Sequence, residues 1–215
     1  MLESLTSADL QAIAAEPYEA RGIPHSEMAL IIDTCRALGV EVFIESGRAR
    51  GQSTYMLAKY LGVEIHSIDF RPNHPDEAFA QQRISGMGNV KLYHGDGAQA
   101  LPAMVKASAP RRTAVLCDGP KGIFAIGVVE KCLRHSHVVA GFIHDMRPID
   151  HGKPSPYRAA AEAVFPNAMF SDHPAFVAEY AWMDAKVVEA NGPVGPAQQA
   201  EFGSYGPTVG IFLNR

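Results

Sequence analysis

Short apolar runs alternate with longer amphipathic segments along most of the chain. The runs are rich in β-branched residues and end at Gly, Asp or Pro, as buried strands do; they cover residues 42–44, 65–68, 90–93, 114–117 and 138–143. The segments between them have helical spacing and cover residues 53–61, 77–84, 98–107, 124–133 and 157–165. This alternation predicts right-handed βαβ units, and therefore an α/β fold with an open, mostly parallel sheet and helices on both faces.

The two ends of the chain depart from this alternation. Two helices are expected before residue 40, the first capped by Ser7 and the second by Ser26. We therefore divide the chain into an N-terminal helical extension, residues 1–39, and a ligand-binding domain, residues 40–215. Near the other end we expect a helix at residues 175–188 and a Gly- and Pro-rich loop, typical of a lid, at residues 191–207. A last strand at residues 208–213 is expected to join the sheet antiparallel.

Composition and charge exclude several classes of protein. The 215 residues carry 19 basic and 23 acidic side chains, without the basic excess expected of a nucleic-acid binder. No apolar run approaches the roughly 20 residues that span a membrane, and no basic segment followed by an apolar one marks a secretory signal. The three cysteines are scattered, as expected for free thiols in a reducing compartment. These features predict a cytoplasmic protein with neither nucleic-acid nor membrane partners.

The loops after the predicted strands carry the candidate chemistry, because ligands of parallel sheets bind at the carboxyl ends of the strands. After the first strand, Glu45 is followed by Gly47 and Gly51, which permit a tight turn and a close approach of backbone N–H groups to a ligand. Ala49 stands where a third glycine would complete the pattern. A plain strand-to-helix turn is the alternative.

Acidic residues follow the next two strands. Asp69 lies 24 residues after Glu45, close to the spacing of a carboxylate that accepts the ribose hydroxyls of a nucleotide; a solvated strand end is the alternative. Asp96, between Gly95 and Gly97, either accepts from an exocyclic amine such as that of adenine or caps the next helix.

Four polar residues follow the fourth and fifth strands: Asp118, Lys121, His144 and Asp145. Each of them alone is most often a cap or a surface charge. The two strands are expected to be neighbours, so the four side chains would converge at one end of the sheet, which favours a ligand site.

These motifs together resemble those of class I S-adenosylmethionine-dependent methyltransferases, over residues 40–213. The resemblance implies a Rossmann-like fold that binds S-adenosyl-L-methionine, with the methionine part on the glycine loop, the ribose on the second-strand acid and the adenine near the third-strand acid. The cofactor contacts that it implies are Glu45, Gly47, Gly51, Ser53, Asp69, Asp96 and Asp118.

A finer resemblance concerns the fourth and fifth strands, whose D-G and H-D pairs are similar to those of small-molecule O-methyltransferases related to the catechol type. In the metal-dependent members, an acid after strand four and acidic or amide residues after strand five hold magnesium. A Lys or His three residues past the strand-four acid takes the substrate proton. The resemblance implies that Asp118 and Asp145 hold a divalent cation such as Mg²⁺, and that Lys121, His144 and Asp145 are catalytic, with Lys121 as the base.

His144 stands where the metal-dependent members have a carboxylate. Mg²⁺ prefers oxygen ligands, whereas imidazole suits softer ions. The metal-free alternative makes His144 or Lys121 the base, or leaves His144 as a buried, hydrogen-bonded residue without chemistry.

The expected function is methyl transfer from S-adenosyl-L-methionine to the hydroxyl of a small-molecule acceptor, in a metal-assisted or a metal-free form. An NAD(P)-dependent oxidoreductase is one alternative, because the glycine loop and Asp69 also suit a dinucleotide and Tyr55 and Lys59 form a Tyr-x-x-x-Lys element. A non-catalytic nucleotide-binding protein on the same fold is another. The N-terminal helices are the candidate surface for a homo-oligomer.

Overall fold

A seven-stranded sheet forms the centre of the computed structural model, which describes residues 4–19, 22–150, 153–187 and 208–214. Five of its strands are parallel: β1 (Val42–Ser46), β2 (Glu64–Asp69), β3 (Val90–His94), β4 (Thr113–Cys117) and β5 (Val138–Ile143). The later strands are β6 (Ile149–Asp150) and β7 (Lys153–Pro154), which form a separate ribbon, and β8 (Met169–Phe170) and β9 (Gly210–Leu213). The order across the sheet is β3-β2-β1-β4-β5-β9-β8, with β9 antiparallel to both of its neighbours. The predicted mostly parallel sheet with an antiparallel C-terminal strand is confirmed.

Helices connect the strands and cover the sheet. They are α1 (Ser7–Ala15), α2 (His25–Ala37), α3 (Gln52–Met56), α4 (Pro75–Arg83), α5 (Gly97–Ser108), α6 (Ile123–Leu133), α7 (Pro156–Val164) and α8 (Pro174–Tyr180). A π-helical turn (Leu57–Leu61) continues α3, and a 3₁₀ turn (Ala181–Asp184) follows α8. Within the described residues, no helix is both long and apolar enough to cross a membrane.

The sheet separates two apolar clusters, because successive side chains of a strand point to opposite faces. Phe43 of β1 packs with Phe142 of β5 and with Met28 of α2 on one face. Ile44 of β1 packs with Val105 of α5 on the other face. The central strands β1, β4 and β5 are buried along their whole length, which explains why they are continuous apolar runs and not alternating ones.

The N-terminal helices share the first of these clusters with the sheet. Most of α2 is buried, including Met28, Ile31 and Ile32, and Ile13 of α1 lies in the same cluster. The boundary at residues 39 and 40 therefore separates chain segments that share one core. The homo-oligomer expected through these helices stays a prediction.

Both predicted N-terminal caps are wrong by one or two residues. Thr6, and not Ser7, caps α1: its hydroxyl accepts from the backbone N–H of Asp9, whose carboxylate accepts from the N–H of Thr6. The N-cap of α2 is Pro24, and Ser26 lies inside the helix.

The helix predicted at residues 175–188 is interrupted. It is helical as α8 and then tightens into the 3₁₀ turn, where Asp184 accepts from the backbone N–H of Ser26 at 2.9 Å and from its hydroxyl at 2.6 Å. These long-range bonds fix the turn against the start of α2. The loop predicted at residues 191–207 lies outside the described residues.

Candidate active site

The loop after β1 lies against the loop after β4, and only glycine allows this approach. Gly47 has a φ of +97°, and a Cβ there would come within 2.7 Å of the backbone nitrogen of Gly119 and 2.8 Å of the carbonyl carbon of Asp118. Gly51, with a φ of +77°, precedes α3. The predicted tight strand-to-helix turn is therefore present.

Ala49, which stands where a third glycine would complete the pattern, has a φ of +45°, in the left-handed region that favours glycine. Its backbone N–H donates to Oδ2 of Asp69 at 2.9 Å, and Oδ1 of Asp69 accepts from the N–H of Arg71 at 3.1 Å. Asp69 therefore joins the end of β2 to the glycine loop.

A crevice of about 370 Å³ runs between these loops at the carboxyl edge of the sheet. Its lining residues are Ser46, Gly47, Ala49, Asp69, Phe70, Arg71, Asp96, Gly97, Asp118, Gly119 and Pro120. The structure thus brings together four of the seven predicted cofactor contacts, namely Gly47, Asp69, Asp96 and Asp118. Phe70, which is 70% exposed, was not predicted and offers an aromatic face at this crevice.

A second cavity, of about 320 Å³, shares Gly47, Ala49 and Asp118 with the crevice and reaches the segment between α1 and α2. Its other lining residues are Glu19, Gly22, Ile23, Arg48, Arg50, Gln52, Ser53 and Asp76. Asp118 therefore faces both cavities, and Ser53 lines the second one.

Glu45 and Gly51 line neither of these cavities. The carboxylate of Glu45 is completely buried and accepts from three hydroxyls, those of Ser53, of Thr54 at 2.5 Å and of Ser67 at 2.7 Å. Burial raises the pKa of Glu45, and the three hydroxyl donors oppose this shift. Glu45 holds the start of α3 against β2 from behind the loop, so its predicted contact with a cofactor stays a prediction.

Asp96 caps the next helix, one of the two roles that its sequence context left open, and its contact with an adenine amine stays a prediction. It is the N-cap of α5 and accepts from the backbone N–H of Ala98 at 2.9 Å, and it also lines the crevice. Gly97 must be glycine, because a Cβ there would overlap the hydroxyl of Ser46.

Arg48, which was also not predicted, stabilises the glycine loop from inside the protein. It is among the largest fully buried side chains; its guanidinium donates to the carbonyl of Ser67 at 2.9 Å and pairs with Glu77 at 2.5 Å. Its position in the sequence, next to Gly47, gives no signal that it is buried.

The four polar residues after β4 and β5 do converge. The Nδ1 of His144 lies 2.8 Å from Oδ1 of Asp118, and the same oxygen accepts from the ammonium of Lys121. The Lys121 ammonium also lies 2.6 Å from Oδ2 of Asp145. Both carboxylates are therefore bridged by one side-chain cation.

Glu27, from α2, completes this cluster and has no sequence motif to mark it. Its Oε2 lies 3.3 Å from Nε2 of His144, an ion-pair distance without the alignment of a hydrogen bond. Its Oε1 accepts from the hydroxyl of Ser171 at 2.5 Å and from the backbone N–H of Val209 at 2.9 Å. One buried carboxylate thus joins the N-terminal helix, the end of β5 and the start of β9.

His144 is held as a buried cation. Burial lowers its pKa, but the carboxylates of Asp118 and Glu27 outweigh burial and raise the pKa to about 10. His144 is therefore an imidazolium at neutral pH, and only 5% of its side chain is exposed. This favours the alternative in which His144 is a buried, hydrogen-bonded residue without chemistry.

Lys121 is also charged at neutral pH. Burial lowers its pKa, and the nearby Asp118 and Asp145 raise it by more. Burial raises the pKa of Asp145, but the cations of His144 and Lys121 bring it below its usual range. The role of Lys121 as a base stays a prediction, and these ion pairs favour an electrostatic role.

We name as the charge chain the six residues that alternate in sign from the interior to the surface. In order they are Glu27, His144, Asp118, Lys121, Asp145 and Arg147, the last pair separated by 3.8 Å. The chain contains three acids and three cations, so its formal charges balance.

The predicted metal ligands lie together within the charge chain. Among the described residues, Asp118, His144 and Asp145 form a group whose candidate ligand atoms all lie within 4.8 Å of one another. The ammonium of Lys121 occupies the position between the two carboxylates, and the imidazole is engaged by carboxylates on both sides. As arranged, this donor set does not fit a divalent cation.

Solved structures of several methyltransferases resemble this chain along most of its length. No protein-family model and no curated protein matches the chain. A methyltransferase from Geobacter sulfurreducens, solved with S-adenosyl-L-homocysteine, matches over 100% of both chains with 15% identity and a TM-score of 0.53. A methyltransferase from Thiobacillus denitrificans, solved with the same ligand, matches over 99% of this chain and 100% of its own, with 15% identity and a TM-score of 0.52. The chain has the class I methyltransferase fold.

An O-methyltransferase from Bacillus cereus, also solved with S-adenosyl-L-homocysteine, shares this fold over 95% of the present chain and 88% of its own, with 15% identity and a TM-score of 0.52. In the methyltransferase fold seen here, the strand order reverses between β1 and β4. Open α/β sheets bind their ligands at such a switch point. Gly47 and Asp118, which follow these two strands, lie at that point.

Proposed function

We propose that this protein transfers the methyl group of S-adenosyl-L-methionine to a hydroxyl group of a small molecule. The observation that carries the proposal is the crevice at the switch point, where Gly47, Asp69 and Asp96 meet beside the charge chain. The proteins of the same fold that were solved with S-adenosyl-L-homocysteine support the choice of cofactor.

Each part of the cofactor has a proposed place. Asp69 accepts the ribose hydroxyls, and Asp96 accepts from the adenine amine, with Phe70 beside the base. Gln52 and Ser53, which line the second cavity, would hold the methionine part. Asp118, which lines both cavities, would face the positively charged sulfonium.

The reaction is an in-line displacement. The acceptor oxygen forms a bond to the methyl carbon while the bond from carbon to sulfur breaks, and its electron pair stays on the sulfur of S-adenosyl-L-homocysteine. The cofactor carries the activated methyl group, so the protein contributes mainly alignment and electrostatics.

The acceptor must also lose a proton. The Lys121 ammonium stabilises the oxygen as negative charge develops on it, and so lowers the pKa of the bound hydroxyl. The proton passes to a carboxylate oxygen of Asp145 and from there to water. His144 keeps Asp118 in place through its 2.8 Å contact.

A third cavity, of about 190 Å³, is the proposed acceptor site. Its lining residues are Lys121, Gly122, Asp145, Arg147, Ser155 and Tyr157. Gly122, with a φ of +64°, lies so close to the ring of Tyr157 that a Cβ would come within 2.9 Å of it. Charged groups and an aromatic ring around a small volume suit a compact hydroxylated acceptor.

The oxidoreductase alternative receives less support. The hydroxyl of Tyr55 lies 3.1 Å from Nζ of Lys59, but that ammonium pairs with Glu16 at 2.6 Å. Neither Tyr55 nor Lys59 lines any of the three cavities. The Tyr-x-x-x-Lys element is therefore better explained by packing of α3 against the N-terminal segment.

The test is methyl transfer from methyl-labelled S-adenosyl-L-methionine to panels of small phenols, alcohols, amines and thiols. We expect label to appear on at least one hydroxyl acceptor and S-adenosyl-L-homocysteine to form in equal amount. Labelling of amines or thiols alone would contradict the choice of oxygen as nucleophile. Cofactor binding without turnover on any panel would favour the non-catalytic alternative.

A further inference from the structure

We propose that the ammonium of Lys121 is the resident cation of this site and holds the position that a divalent ion would take between Asp118 and Asp145. The site therefore works without a metal. The role of this cation in turnover rests on the proposed function, whereas its position between the carboxylates does not.

The ammonium and a divalent ion would compete for the same space. The ammonium is in contact with Oδ1 of Asp118 and lies 2.6 Å from Oδ2 of Asp145. A magnesium ion would need each of these oxygens at about 2.0–2.1 Å. It would then overlap the nitrogen, so the ion and the ammonium exclude each other.

His144, the remaining candidate ligand, faces a carboxylate with each of its ring nitrogens. Nδ1 lies 2.8 Å from Asp118 and Nε2 lies 3.3 Å from Glu27. Carboxylate oxygens only accept hydrogen bonds, so each ring nitrogen faces a group that favours an N–H. A metal ligand needs a free lone pair on one of these nitrogens, and in this arrangement neither nitrogen offers one.

The charge chain is balanced with Lys121 in place, and a divalent ion added to it would leave two uncompensated positive charges at a partly buried site. If the ammonium is removed, one negative charge is left over at Asp118 and Asp145. The two carboxylates would then attract a cation.

The experiment titrates the full chain with Mn²⁺ alone, without cofactor, and follows bound manganese by electron paramagnetic resonance. The proteins are the wild type, Lys121→Met, Lys121→Arg, Asp145→Asn and the double variant Lys121→Met/Asp145→Asn. Lys121→Met removes the charge with a side chain of similar length, and Lys121→Arg is the matched control that keeps it. Circular dichroism and thermal melting show whether each variant is folded.

We expect Lys121→Met to bind Mn²⁺ at least about tenfold more tightly than the wild type, because a like charge at contact distance has been removed. Lys121→Arg should bind as weakly as the wild type, and the double variant should lose the gain. Wild-type methyl transfer should be unchanged by a chelator.

If Lys121→Met is folded and binds Mn²⁺ no more tightly than the wild type does, the proposal is overturned. If Lys121→Met fails to fold, the wild type is compared with Asp145→Asn. Manganese binding by the wild type that Asp145→Asn loses would overturn the proposal. Absence of manganese binding from both proteins would support it. Because the titration contains no S-adenosyl-L-methionine, its outcome is separate from that of the methyl-transfer assay.

Discussion

Replacement of Glu27 by glutamine tests whether the buried carboxylate acts through the charge of His144. Glutamine has nearly the same shape, and its amide oxygen can still accept from Ser171 and from the N–H of Val209. The change therefore removes mainly the negative charge that lies 3.3 Å from Nε2 of His144. Loss of one partner of a buried ion pair typically costs about 3–5 kcal/mol.

The pH dependence gives the prediction its magnitude. Folding raises the pKa of His144 from 6.5 to about 10. The imidazolium therefore stabilises the folded state fully below about pH 6.5. This contribution is lost as the pH rises through about 10. At 1.36 kcal/mol for each pH unit, the full contribution is on the order of 5 kcal/mol. In Glu27→Gln the pKa of His144 falls and part of this contribution is lost, whereas Asp118, the larger cause of the raised pKa, still acts on the imidazole.

The assay is urea unfolding of the wild type and Glu27→Gln at pH 7 and pH 9.5. We expect the difference in free energy of unfolding between them to be larger at pH 7, by about 2 kcal/mol. Ser171→Ala is the control, because it removes another partner of Glu27 and keeps the charge; it should cost about 1 kcal/mol at both pH values. An equal difference between the wild type and Glu27→Gln at pH 7 and pH 9.5 would refute the reasoning.

Three further predictions concern the loops at the carboxyl edge of the sheet. Gly47→Ala should abolish cofactor binding measured by calorimetry, because the new methyl group would lie 2.7 Å from the backbone of Gly119; normal binding would contradict the close packing of the two loops. Ala49→Gly should raise the free energy of unfolding in urea by up to about 1 kcal/mol, because it relieves a φ of +45°; a loss of stability would show that the residue is not strained. Asp145→Ala should leave cofactor affinity unchanged and lower kcat by roughly 10²- to 10⁴-fold; full turnover would show that Asp145 takes no part in the step.

Much of the fold was predictable because its central strands are buried on both faces. The run at residues 138–143 is strand β5 in full, since six consecutive buried positions leave a strong apolar signal. The two-residue strands β6, β7 and β8 were missed, because pairing over two residues has no periodicity to detect.

The crevice was predictable for a similar reason, because the carboxyl ends of parallel strands must meet at one edge of a sheet. Asp69, Asp96 and Asp118 therefore converge although they are far apart in sequence. Glu27 was not predictable, since its contact with His144 depends on how α2 packs across the sheet. The engagement of Lys121 by two carboxylates depends likewise on side-chain positions that spacing does not determine.

The most direct test of the account is a calorimetric titration of the full chain with S-adenosyl-L-homocysteine. We expect one molecule to bind per chain. Its affinity should be at least about tenfold lower for Asp69→Ala, because hydrogen bonds to a charged group are lost. Its affinity for Asp145→Ala should equal that for the wild type. Absence of binding to both S-adenosyl-L-homocysteine and S-adenosyl-L-methionine by the folded wild-type protein would contradict the central claim.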